Sequence, residues 1–302
     1  MSLLVVGSIA YDNIKTPHGD AMNALGGSAV YFSLAASVFG PVRLVGVVGG
    51  DFESKHIDLL KSKSVDTEGL QIIEDGKTFS WTGEYAPNMN DRETLDVQLN
   101  VLGDFQPDVP ASFRDSPYVF LANAAPATQL SVLDQVQSPK LVVADTMDLW
   151  ISTARDDLTK LLSRIDGITI NDSEALQLTE RHNLIEAGPD VLKMGPSFAV
   201  VKKGEHGAIL FTKDDVIPLP AYPTSTVVDP TGAGDSFAGA MMAWLARHDA
   251  NDASRLKQAI AVGTVSASYT VEDYGTARIA SIGESDSMSR FEEFCNAVRI
   301  DS

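Results

Sequence analysis

Six short apolar runs, each ending in or followed at once by a small or polar residue and most feeding a helix-like segment, constrain this chain most. They are 3–7, Val42–Val48, Tyr118–Asn123, Leu141–Asp145, Gly167–Asn171 and Ala199–Gly204. Their apolar residues run on without strict alternation, the pattern of strands buried on both faces. Helical periodicity follows at Val30–Phe39, Phe52–Ser62, Thr128–Gln135, Leu158–Arg164, Asp172–Thr179 and Phe237–Arg247. Repeated β-then-α units predict a doubly wound, largely parallel sheet with helices on both faces. Ala208–Phe211 adds a hairpin-like partner to the sixth run.

Two stretches break that rhythm. Lys77–Tyr85 and Glu93–Asn100 alternate with period two, which predicts antiparallel hairpins. Together with 13–24, which does not read as helix, they predict a small separate β-sheet lid. The expected division is a core of 1–12, 25–69 and 103–302 and a discontinuous lid of 13–24 and 70–102. Such a flap would cover a pocket and exclude water. Its strand edges would offer a surface for a homodimer. Asn88, Asn90 and Arg92 connect its strands and read as solvated loop.

Charge and cysteine content exclude several classes. The 302 residues carry a net charge of −18, which disfavours nucleic acid and anionic membrane as partners. A local amide-and-lysine pocket can still take an anionic small molecule. The single cysteine, Cys295, excludes an intramolecular disulfide framework and suits a cytoplasmic, reducing setting. It falls in a C-terminal amphipathic pattern that predicts a packed thiol. The start of the chain has the pattern of a buried strand and not of a signal peptide, and no apolar run has the length of a membrane span. The five histidines have no metal-ligand spacing. Gly7 is not followed by the further glycines of a dinucleotide fingerprint.

The polar residues at strand ends and helix starts carry the chemistry. In Asp229–Phe237 the small residues Gly232, Ala233 and Gly234 open a helix with unshielded amides, a pocket for an anion. Asp235 follows on the first turn, either as a general base beside that pocket or as a capping acid after a glycine turn. Asp12 follows the first strand and is a candidate acceptor for substrate hydroxyls or an ordinary turn residue. Gly26 and Gly27 open a helix, for close approach by a ligand or for helix packing alone. Asn171 and Glu174 have the spacing to hold water around Mg²⁺ and equally the spacing of a capping box. Lys202 and Lys203 precede Gly204, to neutralise phosphate or to sit in a solvated hairpin turn.

In this order the motifs resemble the ribokinase/PfkB family of small-molecule kinases: Gly7 to Asp12, Gly26-Gly27, Asn171-x-x-Glu174, Lys203-Gly204 and Asp229 to Phe237. The resemblance implies an α/β/α sandwich with a β lid and transfer of the ATP γ-phosphate to an alcohol. Asp235 would then be the base, and the amides of Gly232, Ala233 and Gly234 would hold the transferring phosphoryl. Asn171 and Glu174 would organise Mg²⁺ through water. Lys202 and Gly204 would lie beside the ATP ribose and adenine. Asp229 and Thr231 would bind a monovalent cation such as K⁺, with backbone near Thr270 and Gly275 completing that site. Asp12, Gly26, Gly27 and Asn123 would contact the acceptor. Two positions depart from the family pattern. Tyr31 stands where sugar-phosphorylating members carry asparagine, and would stack on a flat ring or a sugar face. Lys202 stands where a hydroxyl residue is more familiar. The expected acceptor is a sugar or sugar-like alcohol, the alternatives being a nucleoside or, in another class, a ligand-binding protein without turnover.

Overall fold

The computed structural model describes residues 1–250 and 252–299; residues 251 and 300–302, assigned above to the core, lie outside the described residues. The strands are β1 (Leu3–Val6), β2 (Ala10–Thr16), β3 (Gly19–Gly26), β4 (Val42–Gly49), β5 (Val65–Ile73), β6 (Phe79–Tyr85), β7 (Arg92–Gln98), β8 (Tyr118–Leu121), β9 (Leu141–Asp145), β10 (Gly167–Asn171), β11 (Phe198–Lys202), β12 (Ala208–Thr212) and β13 (Val216–Leu219). The helices are α1 (Ser28–Ala36), α2 (Ser54–Ser62), α3 (Pro126–Leu133), α4 (Asp148–Thr153), α5 (Arg155–Leu162), α6 (Asp172–Thr179), α7 (Leu184–Leu192), α8 (Ala233–His248), α9 (Ala253–Thr270), α10 (Ala277–Ser281) and α11 (Glu284–Ala297).

Nine strands form one sheet in the order β13-β12-β11-β10-β9-β8-β1-β4-β5. The seven from β11 to β5 run parallel; β12 runs against them, and β13, antiparallel to β12, returns to their direction. Adjacent residues on each strand serve opposite faces. Leu3 and Val5 enter one apolar core with α1, α8 and α9, while Leu4 and Val6 enter the other with α5, α6 and α7. These two cores make the three-layer α/β/α sandwich. From β1 the chain winds outward through β4 and β5, then returns to β8 on the other side. That reversal opens a crevice at the carboxyl ends of the central strands, where α/β sheets bind ligands.

The second sheet has the order β3-β2-β6-β7. Its hairpins β2/β3 and β6/β7 are antiparallel, as alternation predicts, but β2 and β6 join them as a parallel pair. Its bounds also differ from the expected 13–24 and 70–102. Residues 70–73 stay in β5 against β4, while Ala10–Asp12 and Leu25–Gly26 lie in the small sheet. The pairing continues because β2 follows β1 after only three residues, carrying Asp12 into the lid sheet.

Cys295 is exposed, contrary to the packed thiol expected. Phe294 takes the core-facing position of α11, and the next residue is turned about 100° away toward solvent. Among the described residues no helix is long and apolar enough to cross a membrane.

Candidate active site

Strand ends deliver most of the polar side chains. Asp145, Asn171 and Lys202 terminate the adjacent parallel strands β9, β10 and β11. Asp12 comes from β2, and Asp235 from the first turn of α8. Through-space charge links them into one cluster. Asp12 lies within electrostatic reach of Asp229 and Asp235, and Asp235 within reach of Asp145 and Lys202. Glu174 senses the same Asp145 and Lys202.

The turn before α8 is shaped by Gly232, the N-cap, at φ 74°. A side chain there would be strained in the left-handed region, and its Cβ would fall 2.3 Å from the Tyr31 ring. The Ala233 N–H donates to the Pro230 carbonyl at 3.2 Å. It is therefore engaged within the turn, contrary to the expectation that all three amides are open. Among the described residues no backbone carbonyl takes the N–H of Gly232 or Gly234. Two unpaired donors at a helix start suit an anion. Asp235 is half-buried beside them, and burial together with the Asp145 charge pushes its carboxyl up to about 7, although Lys202 opposes the shift.

Asp12 is 4% exposed. Burial and the charges of Asp229 and Asp235 push its carboxyl up to about 8, against a hydrogen bond from the Gly27 amide. Its Oδ2 sits where a Cβ on Gly26 would be, at 1.8 Å, so a side chain there would have to displace this carboxylate. Gly27 has φ 93°, and a Cβ there would meet the Ser8 carbonyl at 2.5 Å. Gly27 is thus required by the approach of the β1–β2 connection, while Gly26 leaves room for the Asp12 carboxylate.

Tyr31 is 1% exposed, with its ring packed under Gly232 rather than presented for stacking. Gly232, having no side chain, leaves room for the ring beneath the turn. Among the described residues the Tyr31 hydroxyl has no hydrogen-bond partner, and it faces Asp12, Asp229, Tyr85 and Asp235. Burial first and these charges second raise its pKa. Asn123 is also committed internally: Oδ1 accepts from Trp150 Nε1 at 3.0 Å, and Nδ2 donates to Met147 Sδ at 3.1 Å.

Asn171 and Glu174 close a capping box at α6. Asn171 Oδ1 accepts from the Glu174 amide, and Glu174 Oε2 from the Asn171 amide, each at 2.8 Å. Burial is the main cause holding the Glu174 carboxyl above its ordinary range, with Asp145 adding to it. Asp229 is fully buried; it accepts from the amides of Thr231 and Gly275, each at 2.9 Å. This joins the anion turn to the loop after α9. Burial raises its pKa despite those bonds.

The lid meets the core at Thr231, Tyr274 and Glu205. The hydroxyls of Tyr85 and Thr231 hydrogen-bond at 3.1 Å, and those of Thr16 and Tyr274 at 2.9 Å. Asn90 Nδ2 donates to Glu205 Oε1 at 3.0 Å, bringing the β6–β7 connection onto the turn of Gly204, itself at φ 52°. The solvated-loop reading of Asn90 misses this contact. Asp145 belongs to none of the sequence motifs, although it ends its strand as Asn171 does. The strand-end position was the available signal.

The pfkB family carbohydrate kinase signature matches residues 2–282. The chain is similar to a nucleoside kinase of Methanothermobacter thermautotrophicus, 30% identical over 294 residues, covering 91% of this chain and 90% of the relative. It is similar to a cytidine kinase of Thermococcus kodakarensis, 26% identical over 253 residues, covering 82% and 89% respectively. Among solved structures, the Methanocaldococcus jannaschii nucleoside kinase matches the fold with a TM-score of 0.78 at 20% identity, covering 97% of this chain and 98% of that one. With its motifs, its lid and its sandwich in place, the chain belongs to the pfkB family of carbohydrate kinases, and is a phosphotransferase that acts on a hydroxyl acceptor.

Proposed function

We propose that the protein is an ATP-dependent kinase that phosphorylates a hydroxymethyl group of a nucleoside. The carrying observation is Asp235, half-buried with a raised pKa, beside the unpaired amides of Gly232 and Gly234. As base, Asp235 takes the acceptor proton while the hydroxyl oxygen attacks the γ-phosphorus. The bond to the β-phosphate oxygen breaks, its electron pair leaves with ADP, and the two amides hold charge on the equatorial oxygens. Asp12 fits the binding of acceptor hydroxyls, with Gly26 and Gly27 allowing the approach. Gly204 and Lys202 fit the nucleotide side. The nucleoside reading draws on the names of the two relatives above. A free sugar presents the same hydroxymethyl group and is the competing acceptor.

Among the described residues no three His, Cys, Asp or Glu side chains gather to hold a metal. Mg²⁺, when bound with ATP, neutralises β- and γ-phosphate charge and keeps much of its water. Glu174 fits as the partner of that water, because only its Oε2 is occupied by the capping box. At Asp229, a fully buried carboxylate with two amide donors fits a monovalent cation, which Thr231 and the Thr270–Gly275 segment would flank.

Two measurements test the reading. A coupled ADP-release screen over nucleosides, pentoses and hexoses should show turnover with a nucleoside; turnover with sugars alone would move the acceptor to that class. Asp235→Asn should lower kcat by roughly 10²–10⁴ and leave ATP binding by calorimetry unchanged. Near-normal turnover in this variant would remove Asp235 from the role of base.

A further inference from the structure

Lys202 and Asp145 meet across the end of β10. Register sets Lys202 opposite Asn171, and Asp145 opposite Thr169. The Lys202 ammonium donates to Asp145 Oδ2 at 3.0 Å, with the two side chains 17% and 8% exposed. A hydroxyl side chain at 202 would end near its own strand; four methylenes carry this ammonium across to α8. There it lies 3.2 Å from the position a Cβ on Gly234 would take. A cation at a helix start opposes the helix dipole and needs compensating anions. Asp145, Glu174 and Asp235 supply them, three acids around one ammonium, and outweigh the burial that works against its charge.

We infer that Lys202 is a catalytic residue whose ammonium serves the transferring phosphoryl group rather than the ribose or adenine, and that Asp145 is the positioning residue that holds it beside the anion turn and off the base Asp235. The inference rests on the kinase reading above. No covalent bond to Lys202 forms or breaks. The arriving γ-phosphate, with its larger charge, competes with Asp145 for the ammonium, and the proton of the acceptor still goes to Asp235. Without Asp145 the ammonium has Asp235 as a remaining anion, and pairing there would occupy the base.

The test uses the full chain with Lys202→Met, Asp145→Asn and the double variant, reading ATP and ADP affinity by calorimetry and kcat with the acceptor found in the screen. Lys202→Met should weaken ATP binding by about tenfold or more, as expected for a lost charge-assisted hydrogen bond, and ADP binding by less than about threefold. It should also lower kcat by roughly 10²–10³, the scale of one lost transition-state donor. Asp145→Asn alone should lower kcat about tenfold while ATP affinity stays within about threefold, and should have no further effect on kcat in the Lys202→Met background. Lys202→Arg, which keeps the charge, should recover part of the ATP preference. Equal weakening of ATP and ADP would return Lys202 to the ribose and adenine side. Independent, additive losses in the double variant would remove Asp145 from its role. Should Lys202→Met be too unstable, the double variant carries the ATP-against-ADP comparison, because it leaves one fewer uncompensated acid. Absence of phosphoryl transfer in the unmodified chain would instead defeat the kinase reading, and the binding comparison separates the two failures.

Discussion

Two groups of acids share one crevice but are compensated differently. On the side proposed for the acceptor, Asp12 and Asp229 are buried against backbone amides, and the charges facing Asp12 are both carboxylates. On the phosphoryl side, Asp145, Glu174 and Asp235 surround the Lys202 ammonium. The charges acting on Asp12 are carboxylates, which raise it, whereas the Lys202 ammonium opposes the rise at Asp235. Asp12 accordingly rises to about 8 and Asp235 only to about 7. On the kinase reading proposed above, Asp12 would meet the acceptor largely protonated near pH 7, and Asp235 would be poised to take a proton there.

Removing the uncompensated charge should have the largest effect on stability. Asp12 binds a proton in the fold at pH values where the unfolded chain has released it, so it costs stability increasingly as pH rises from about 4 to about 8. Asp12→Asn should raise unfolding free energy at pH 8 by on the order of a few kcal/mol, and flatten its decline between pH 5 and 8, measured by denaturant titration. It should also raise the acceptor KM. A variant no more stable than the parent would mean that Asp12 is compensated in solution.

The pH dependence sharpens the contrast on the other side. Asp235 must be ionised to act as base, so kcat/KM should fall as pH drops through about 7, approaching tenfold per unit below it. Asp145→Asn, by removing a raising charge, should move that limb to lower pH; an unmoved limb would assign it to another group. Smaller effects come from the lid. Tyr85→Phe removes the hydrogen bond to Thr231 and should cost about 1 kcal/mol of stability, with a several-fold loss of kcat/KM in steady-state assays. Asn90→Ala loses only an exposed contact with Glu205 and should change the ATP KM by less than about threefold.

Strand ends were legible in sequence because an apolar run that stops at a polar residue has little freedom. Leu141–Asp145, Gly167–Asn171 and Asp172–Thr179 fall where the pattern puts them. The same rule would have identified Asp145, but no motif spacing drew attention to it. The alternation in 77–85 and 93–100 revealed hairpins without showing that β2 and β6 pair in parallel, since strand partners separated by β3, α1, β4, α2 and β5 leave no local trace. The glycines at 26, 27 and 232 were readable as close approaches. What approaches them, Asp12, the β1–β2 connection and Tyr31, was not.

By itself the sequence determined the layered fold, the family motifs and the first-turn placement of Asp235, because periodicity, strand termini and capping are local properties of the chain. Tertiary structure alone decided that Tyr31 lies under the anion turn, that Ala233 spends its amide on Pro230, and that Lys202 reaches past its own strand to Asp145 and α8. Those outcomes depend on which long side chains share a crowded sheet edge and which charge each one finds there, and neither is encoded in a spacing between neighbouring residues.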